Sequence, residues 1–237
     1  MLRPDPNWPI GSDAITGSDT RSGPDTMKRS TEEDRLKIID LLLKAGADPN
    51  AVDQGDRLPL YYAASSGYYE IVHRLIEAGA TFKTWPAGCM PPLFGVVVNV
   101  PPHGVIEGRN HERVAKLLLE LGAPVDGETA NGMTALMGAA IPGSERLIDL
   151  LLDHGADVNH RSQDKRSPLI CAAGYAEWAA AEDEYQLALR IVKRLLDAGA
   201  DPYARNGKGE SAYDIAARSR GPLAAEYLKR FSTGNGK

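Results

Sequence analysis

The chain has 237 residues, 43% of them apolar and 25% charged, with a net charge of −5. That length can bury one large core or build a solenoid, and the acidic balance argues against sequence-independent nucleic-acid binding, which needs a basic footprint to displace counterions. Two cysteines, Cys89 and Cys171, are too few for a disulfide framework, the N-terminus lacks a signal peptide's apolar core, and no apolar run approaches the roughly 18 residues of a membrane helix, so a cytoplasmic chain contacting no membrane is expected.

Residues 1–30 are rich in Pro, Gly, Ser and Asp and show no periodicity. Composition suits a disordered tail; the alternative is that Trp8-Pro9-Ile10 folds back over the first structured layer. From Glu32 to Ala45 an apolar pattern at helical spacing predicts a helix, with Ser30 and Glu33 as a capping box. Its partner helix is not visible upstream.

A Gly-Ala step then recurs at Gly46, Gly79, Gly122, Gly155 and Gly199, at spacings of 33, 43, 33 and 44 residues. Each copy follows an apolar helical run, and 13 residues after each Gly comes a restart signal such as Pro59-Leu60 or Pro168-Leu169. Within one period, Pro59 opens a short helix containing Ala63-Ala64. Gly67 breaks it, and a second helix from about Tyr68 to Ala78 carries Ile71, Val72, Leu75 and Ile76 on one stripe. One such pair cannot cover its own apolar face, so stability must come from stacking.

Residues 33–231 thereby resemble ankyrin repeats, most clearly at Leu58-Pro59-Leu60, Ala63-Ala64, Gly67, Ile71-Val72 and Gly79-Ala80, and again from Gly132 to Asn159. The resemblance implies an all-α ankyrin-repeat solenoid of helix-turn-helix units with projecting loops. It contains about five units plus a leading half over residues 31–232, with a short tail at 233–237. Two departures stand out. The family histidine after Pro-Leu is replaced by Tyr61, Phe94, Met137, Ile170 and Asp214, so its loop-bridging hydrogen bonds must be lost or replaced. Val96-Val97 stand where two alanines are usual, which predicts layers pushed apart or a splayed first helix in unit three.

The interval from restart signal to the next Gly is 20 residues in units two and four, but 30 and 31 in units three and five. The extra residues therefore lie between the helices. The first insert, Asn99 to Arg109, contains two prolines and reads as an irregular loop. The second, around Gly174 to Tyr185, is rich in Ala and Glu and reads as helical extension. Both suit neutral decoration, or, through Tyr175, Trp178 and Tyr185, a protrusion that anchors a partner.

Function follows from the resemblance: a non-enzymatic module, binding another protein through a concave face of loops and first helices, as adaptor, inhibitor or immunity-type factor. The expected contact residues are Gln54, Arg57, Ser65, Ser66, Phe82, Trp85, Met90, Asn99, Asn131, Met133, Arg161, Gln163, Arg166, Tyr175, Trp178, Arg205 and Lys208. Trp85 either packs within its loop on Pro86 and Pro91 or stands out as an anchor. The loop at 158–166 carries net +2 while those at 51–57 and 124–133 are acidic. No nucleophile elbow, phosphate-binding loop or zinc signature is present, and no cofactor is implied. The competing reading is a ligand, metal or enzyme-like site built by the inserts, with Cys89, His103 and His111 converging, though metal-ligand spacing is lacking. A third is self-assembly through the uncapped first layer; a monomer is expected.

Overall fold

The computed structural model describes residues 31–98, 110–141, 144–179, 181–219 and 222–232. Within them lie eleven α-helices. A leading helix α1 (Glu32–Lys44) is followed by five pairs: α2 (Pro59–Ser65) with α3 (Tyr69–Glu77), α4 (Pro92–Val98) with α5 (His111–Glu120), and α6 (Ala135–Ala140) with α7 (Glu145–Asp153). The last two pairs are α8 (Pro168–Trp178) with α9 (Glu182–Asp197), and α10 (Ala212–Ala216) with α11 (Leu223–Ser232). The short first helices pack in a row, α2 on α4 on α6 on α8 on α10, and the second helices stack behind them.

The recurring Gly-Ala step is the C-terminal cap of every second helix from α1 to α9. Each Gly takes a left-handed φ, from 82° to 92°. The following Ala N–H then reaches back to a carbonyl five residues upstream: Ala47 to Leu42, Ala80 to Leu75, Ala123 to Leu118, Ala156 to Leu151 and Ala200 to Leu195. This arrangement satisfies carbonyls the helix would otherwise leave orphaned. At the other ends, Thr134, Ser167 and Ser211 side chains accept the N–H of the third helical residue in α6, α8 and α10. The capping box of α1 is Thr31 with Asp34, one residue later than the Ser30–Glu33 pair the pattern suggested.

Val96 and Val97 do not push the layers apart. Both are buried, and Val97 fits against α6 because Gly138 leaves the space: a Cβ there would meet Val97 Cγ2 at 2.6 Å and Phe94 Cε2 at 3.2 Å. The same exchange occurs one layer earlier, where a Cβ on Gly95 would lie 2.9 Å from the Tyr61 ring. Two of the bulky residues that replace the family histidine, Tyr61 and Phe94, are thus matched by glycines on the facing helix, which keeps α2, α4 and α6 closely packed.

The second helices are linked across layers by cations. Arg74 pairs with Asp40 at 2.9 Å, Arg113 lies 4.0 Å over the Tyr69 ring, and Arg146 pairs with Glu112 at 3.4 Å. Arg190 and Arg194 reach back to Glu145 and Asp149. These pairs are half exposed, so each adds only a few tenths of a kcal/mol, up to about 1. The second insert is helical as expected: α8 has 11 residues and α9 has 16, longer than the 7 and 9 of α2 and α3. The first insert, 99–109 with Asn99 and His103, lies outside the described residues, as do the tails 1–30 and 233–237.

Candidate partner-binding surface

Four of the five projecting loops close on themselves by one recurrent device; the exception follows Gly79, where Pro86 holds the position. Seven residues after the Gly stands a short polar side chain, Asp53, Thr129, Ser162 or Asn206. Each accepts the N–H of the residue four further on: Arg57 at 2.9 Å, Met133 at 3.1 Å, Arg166 at 3.1 Å and Glu210 at 2.9 Å. The backbone N–H of the same four residues donates to the same partners' carbonyls, at 2.9–3.1 Å. These four residues were missed as structural determinants in the sequence; their fixed offset from Gly-Ala was the available signal. Asp53 also accepts the Tyr62 hydroxyl at 2.5 Å. That bond, with the Arg57 and Gly55 amides, holds its carboxyl below the ordinary aspartate range.

One turn position in these loops is left-handed, filled by Gly132 (φ 72°) and Gly209 (φ 80°) in two units but by Asp56 (φ 54°) and Lys165 (φ 57°) in two others. A non-glycine residue there costs about 1–2 kcal/mol, offset by the roughly 0.5–1 kcal/mol of extra chain entropy that glycine loses on folding. Lys165→Gly is therefore expected to raise stability by about 0.5 kcal/mol, read as a higher urea midpoint; a lower midpoint would mean that the lysine side chain itself stabilises the loop.

Neighbouring loops are then tied together. Asn50 donates to Gly79 O and accepts from Thr81 N, at 3.0 and 2.8 Å. Asn159 does the same to Gly199 O and Asp201 N, at 3.0 and 2.7 Å. Asp126 accepts from Asp157 N at 3.1 Å. Farther out, Gln163 N donates to Asn131 O at 3.0 Å, and its side chain to Ala130 O at 2.7 Å. Gly207 N donates to Asp164 O at 2.7 Å, and Arg161 to Arg205 O. The bonds of the missing histidines are replaced by this ladder.

The junction between the loops of units three and four is built differently. Lys83 holds the position of Asn50, and its target in the next loop is Pro124, which has no N–H to offer. Here Trp85 crosses over: a Cβ on Gly127 would meet its ring at 2.6 Å. Trp85 is half-buried, and its ring lies against the following loop. Trp85→Ala is expected to cost about 1–2 kcal/mol, less than for a fully buried Trp; an unchanged urea midpoint would show that the ring does not hold these loops together.

The predicted contact residues therefore divide. Gln54, Arg57, Asn131, Arg161, Gln163, Arg205 and Lys208 are exposed, and of these Gln163, Arg161 and Arg205 also tie loops. Arg57 lies over the Tyr61 and Tyr62 rings, 5.9 and 5.8 Å from their centroids. Ser66, Phe82, Met90 and Arg166 are half-buried. Ser65 and Met133 are interior residues, at 4% and 5% exposure. The Ser65 hydroxyl is turned back to Tyr62 O at 3.1 Å, and Met133 sits in the core beneath its loop. Neither is available to a partner. Tyr62, 44% exposed on α2, was not anticipated as part of this surface.

In the second insert, Tyr175 is half-buried on α8, and its hydroxyl is buried with no hydrogen-bond partner among the described residues. Burial, reinforced by Glu184 and Asp183, pushes its pKa to about 12. Tyr175→Phe should leave stability unchanged or raise it by up to about 1 kcal/mol, since an unsatisfied group is removed; a clear loss in thermal unfolding would reveal a bonded hydroxyl. Trp178 ends α8, and its side chain lies outside the described residues.

The thiols are not poised for chemistry. Cys171 is fully enclosed on α8, and burial raises its pKa to about 12. Cys89 is buried, and desolvation with the nearby Asp56 and Asp53 carboxylates also raises it. His111 opens α5 with Nε2 3.2 Å from Ser65 O. Among the described residues no group of three or more His, Cys, Asp or Glu could hold a metal ion.

Profiles of ankyrin repeats match residues 28–76 (many copies) and 103–206 (3 copies). The chain belongs to the ankyrin-repeat proteins, whose repeat is a protein–protein interaction module. Similar proteins include the inactive serine/threonine-protein kinase TEX14 of Bos taurus, 33% identical over 132 residues, covering 54% of this chain and 8% of that protein. Human inversin is 29% identical over 170 residues, 71% of this chain and 15% of inversin. The E3 ubiquitin-protein ligase KEG of Arabidopsis thaliana is 27% identical over 213 residues, 74% of this chain and 12% of KEG. The chain thus spans less than a sixth of these relatives. Among the described residues no helix is long and apolar enough to cross a membrane.

Proposed function

We propose that this chain is a non-enzymatic binding module, an adaptor or inhibitor, that grips a protein partner along the row of projecting loops and the adjoining end of α2. The observation that carries this reading is the ladder itself. The loops are closed internally and tied to one another, while Gln54, Arg57, Tyr62, Asn131 and Lys208 remain outward. A surface ordered before binding does not have to be ordered by it, so less of the contact energy is lost to entropy. Arg57 and Tyr62 supply the residue types that most often dominate interface energetics. A cytoplasmic monomer is the form in which this surface would work.

The test is photo-crosslinking in native extract with a reactive side chain placed at Gln54, Asn131 or Lys208, and at Lys116 or Lys193 on the second helices. The same protein should be captured from all three loop positions and from neither helix position. Adducts confined to Lys116 and Lys193 would overturn the assignment and move the binding face to the other side of the stack.

A further inference from the structure

The leading helix α1 carries an apolar stripe built to be covered. Ile38 and Leu42 occupy the register that Ile71 and Leu75 hold in α3, Val114 and Leu118 in α5, Leu147 and Leu151 in α7, and Ile191 and Leu195 in α9. Those eight residues are at most 4% exposed, each pair covered by its own first helix, whereas Ile38 and Leu42 are 55% and 53% exposed. Leu41 beside them is 68% exposed. Among the described residues, none of the exposed large apolar side chains lies on α10 or α11 at the other end of the stack.

A first helix cannot supply the cover in the usual register. Counting back 33 residues from α2 gives residues 26–32, Thr-Met-Lys-Arg-Ser-Thr-Glu. Thr31 is already the N-cap of α1, and Ser30 and Thr31 stand where α2 has Ala63 and Ala64. Upstream, Met27 and Ile15 are single large apolar residues in a polar run, whereas Trp8-Pro9-Ile10 groups three apolar residues and contains the one aromatic residue of the first thirty.

We propose that Trp8-Pro9-Ile10 docks on the Ile38–Leu41–Leu42 face of α1 and closes the open end of the solenoid in place of the missing helix. The connection is long enough. The 23 residues from Trp8 to Thr31 reach up to roughly 75 Å when extended, and α1 is only about 20 Å long. At a flexible r.m.s. span of roughly 25 Å, such a tether presents the segment at an effective concentration on the order of millimolar. A second copy of the chain is disfavoured by area: three part-exposed aliphatic side chains offer on the order of 300 Å², against roughly 800 Å² per partner in a stable dimer.

The test uses the full chain with two introduced cysteines, Cys89 and Cys171 being buried and out of reach of exchange. Gly11→Cys is paired either with Leu41→Cys or with Glu33→Cys, an exposed position nearer the tether and half a turn round α1 from Leu42. Docking predicts an intrachain disulfide forming at least tenfold faster with Leu41→Cys, a preference abolished by Trp8→Ala. In parallel, Trp8→Ala without added cysteines should lower hydrogen-exchange protection of the α1 amides tenfold or more. Equal crosslinking rates at the two positions with unchanged α1 protection would overturn the proposal. So would a Leu41→Cys crosslink that joins two chains.

Discussion

Gly138→Val is expected to destabilise the solenoid by about 3 kcal/mol, the upper part of the range for overpacking a core. Gly138 lies in α6, buried between α4 and α8, and the first atom of any side chain there would fall 2.6 Å from Val97 Cγ2. Val97 is itself 1% exposed, so it is enclosed by its neighbours and cannot turn out into solvent. The strain is specific to one pair of facing residues, so it should be relieved across the interface. Val97→Ala alone leaves a cavity and costs about 1–2 kcal/mol. The Gly138→Val, Val97→Ala double variant should be less destabilised than Gly138→Val alone by at least about 1 kcal/mol, a coupling that independent sites do not show. Urea unfolding of the four proteins of the cycle measures this. Additive losses would mean that the α4–α6 spacing is set elsewhere.

This pair also shows where the sequence was legible. The period, the unit boundaries and the helical character of the second insert all follow from local signals: a left-handed glycine after a helix, a proline at a helix start, an apolar stripe at helical spacing. Each is decided within a few residues of itself. Val96-Val97 read as a disruption because the compensating change is 41 residues away from Val97, at a glycine that looks unremarkable in its own unit. The loops repeat this pattern. Trp85 was narrowed to packing within its loop or to exposure, yet its ring rests on Gly127, in the next unit, at a junction where Pro124 removes the usual N–H. Ser65 and Met133 were placed at the surface by their position in the unit, but position does not report that a hydroxyl turns back on its own helix. What one layer requires of the next is encoded in matched sizes and donors across the stack, and a single unit read alone does not display it.

The loop ladder makes an equally sharp prediction at Gly132. Its φ of 72° is left-handed, and a Cβ there would approach Gln163 N at 3.1 Å and Ser162 Cα at 3.3 Å. Both are backbone atoms of the next loop and cannot swing aside as a side-chain tip could. Gly132→Val combines a β-branched residue in a conformation that costs L-residues about 1–2 kcal/mol with a push against that backbone. The hydrogen bond from Gln163 N to Asn131 O, 3.0 Å long, spans the same gap and should be lost with it, adding about 1 kcal/mol. The expected total is about 2–3 kcal/mol. Because the lesion lies in the loops and not in the helices, it should also have a signature that Gly138→Val lacks. Hydrogen exchange at the Gln163 and Gly207 amides should accelerate well beyond the global loss of stability, while the amides inside α6 and α8 follow the global change. If Gln163 and Gly207 remain as protected as the helix interiors, the loops of units four to six are ordered by their own turns, and the preorganised surface on which partner binding rests does not depend on the ladder.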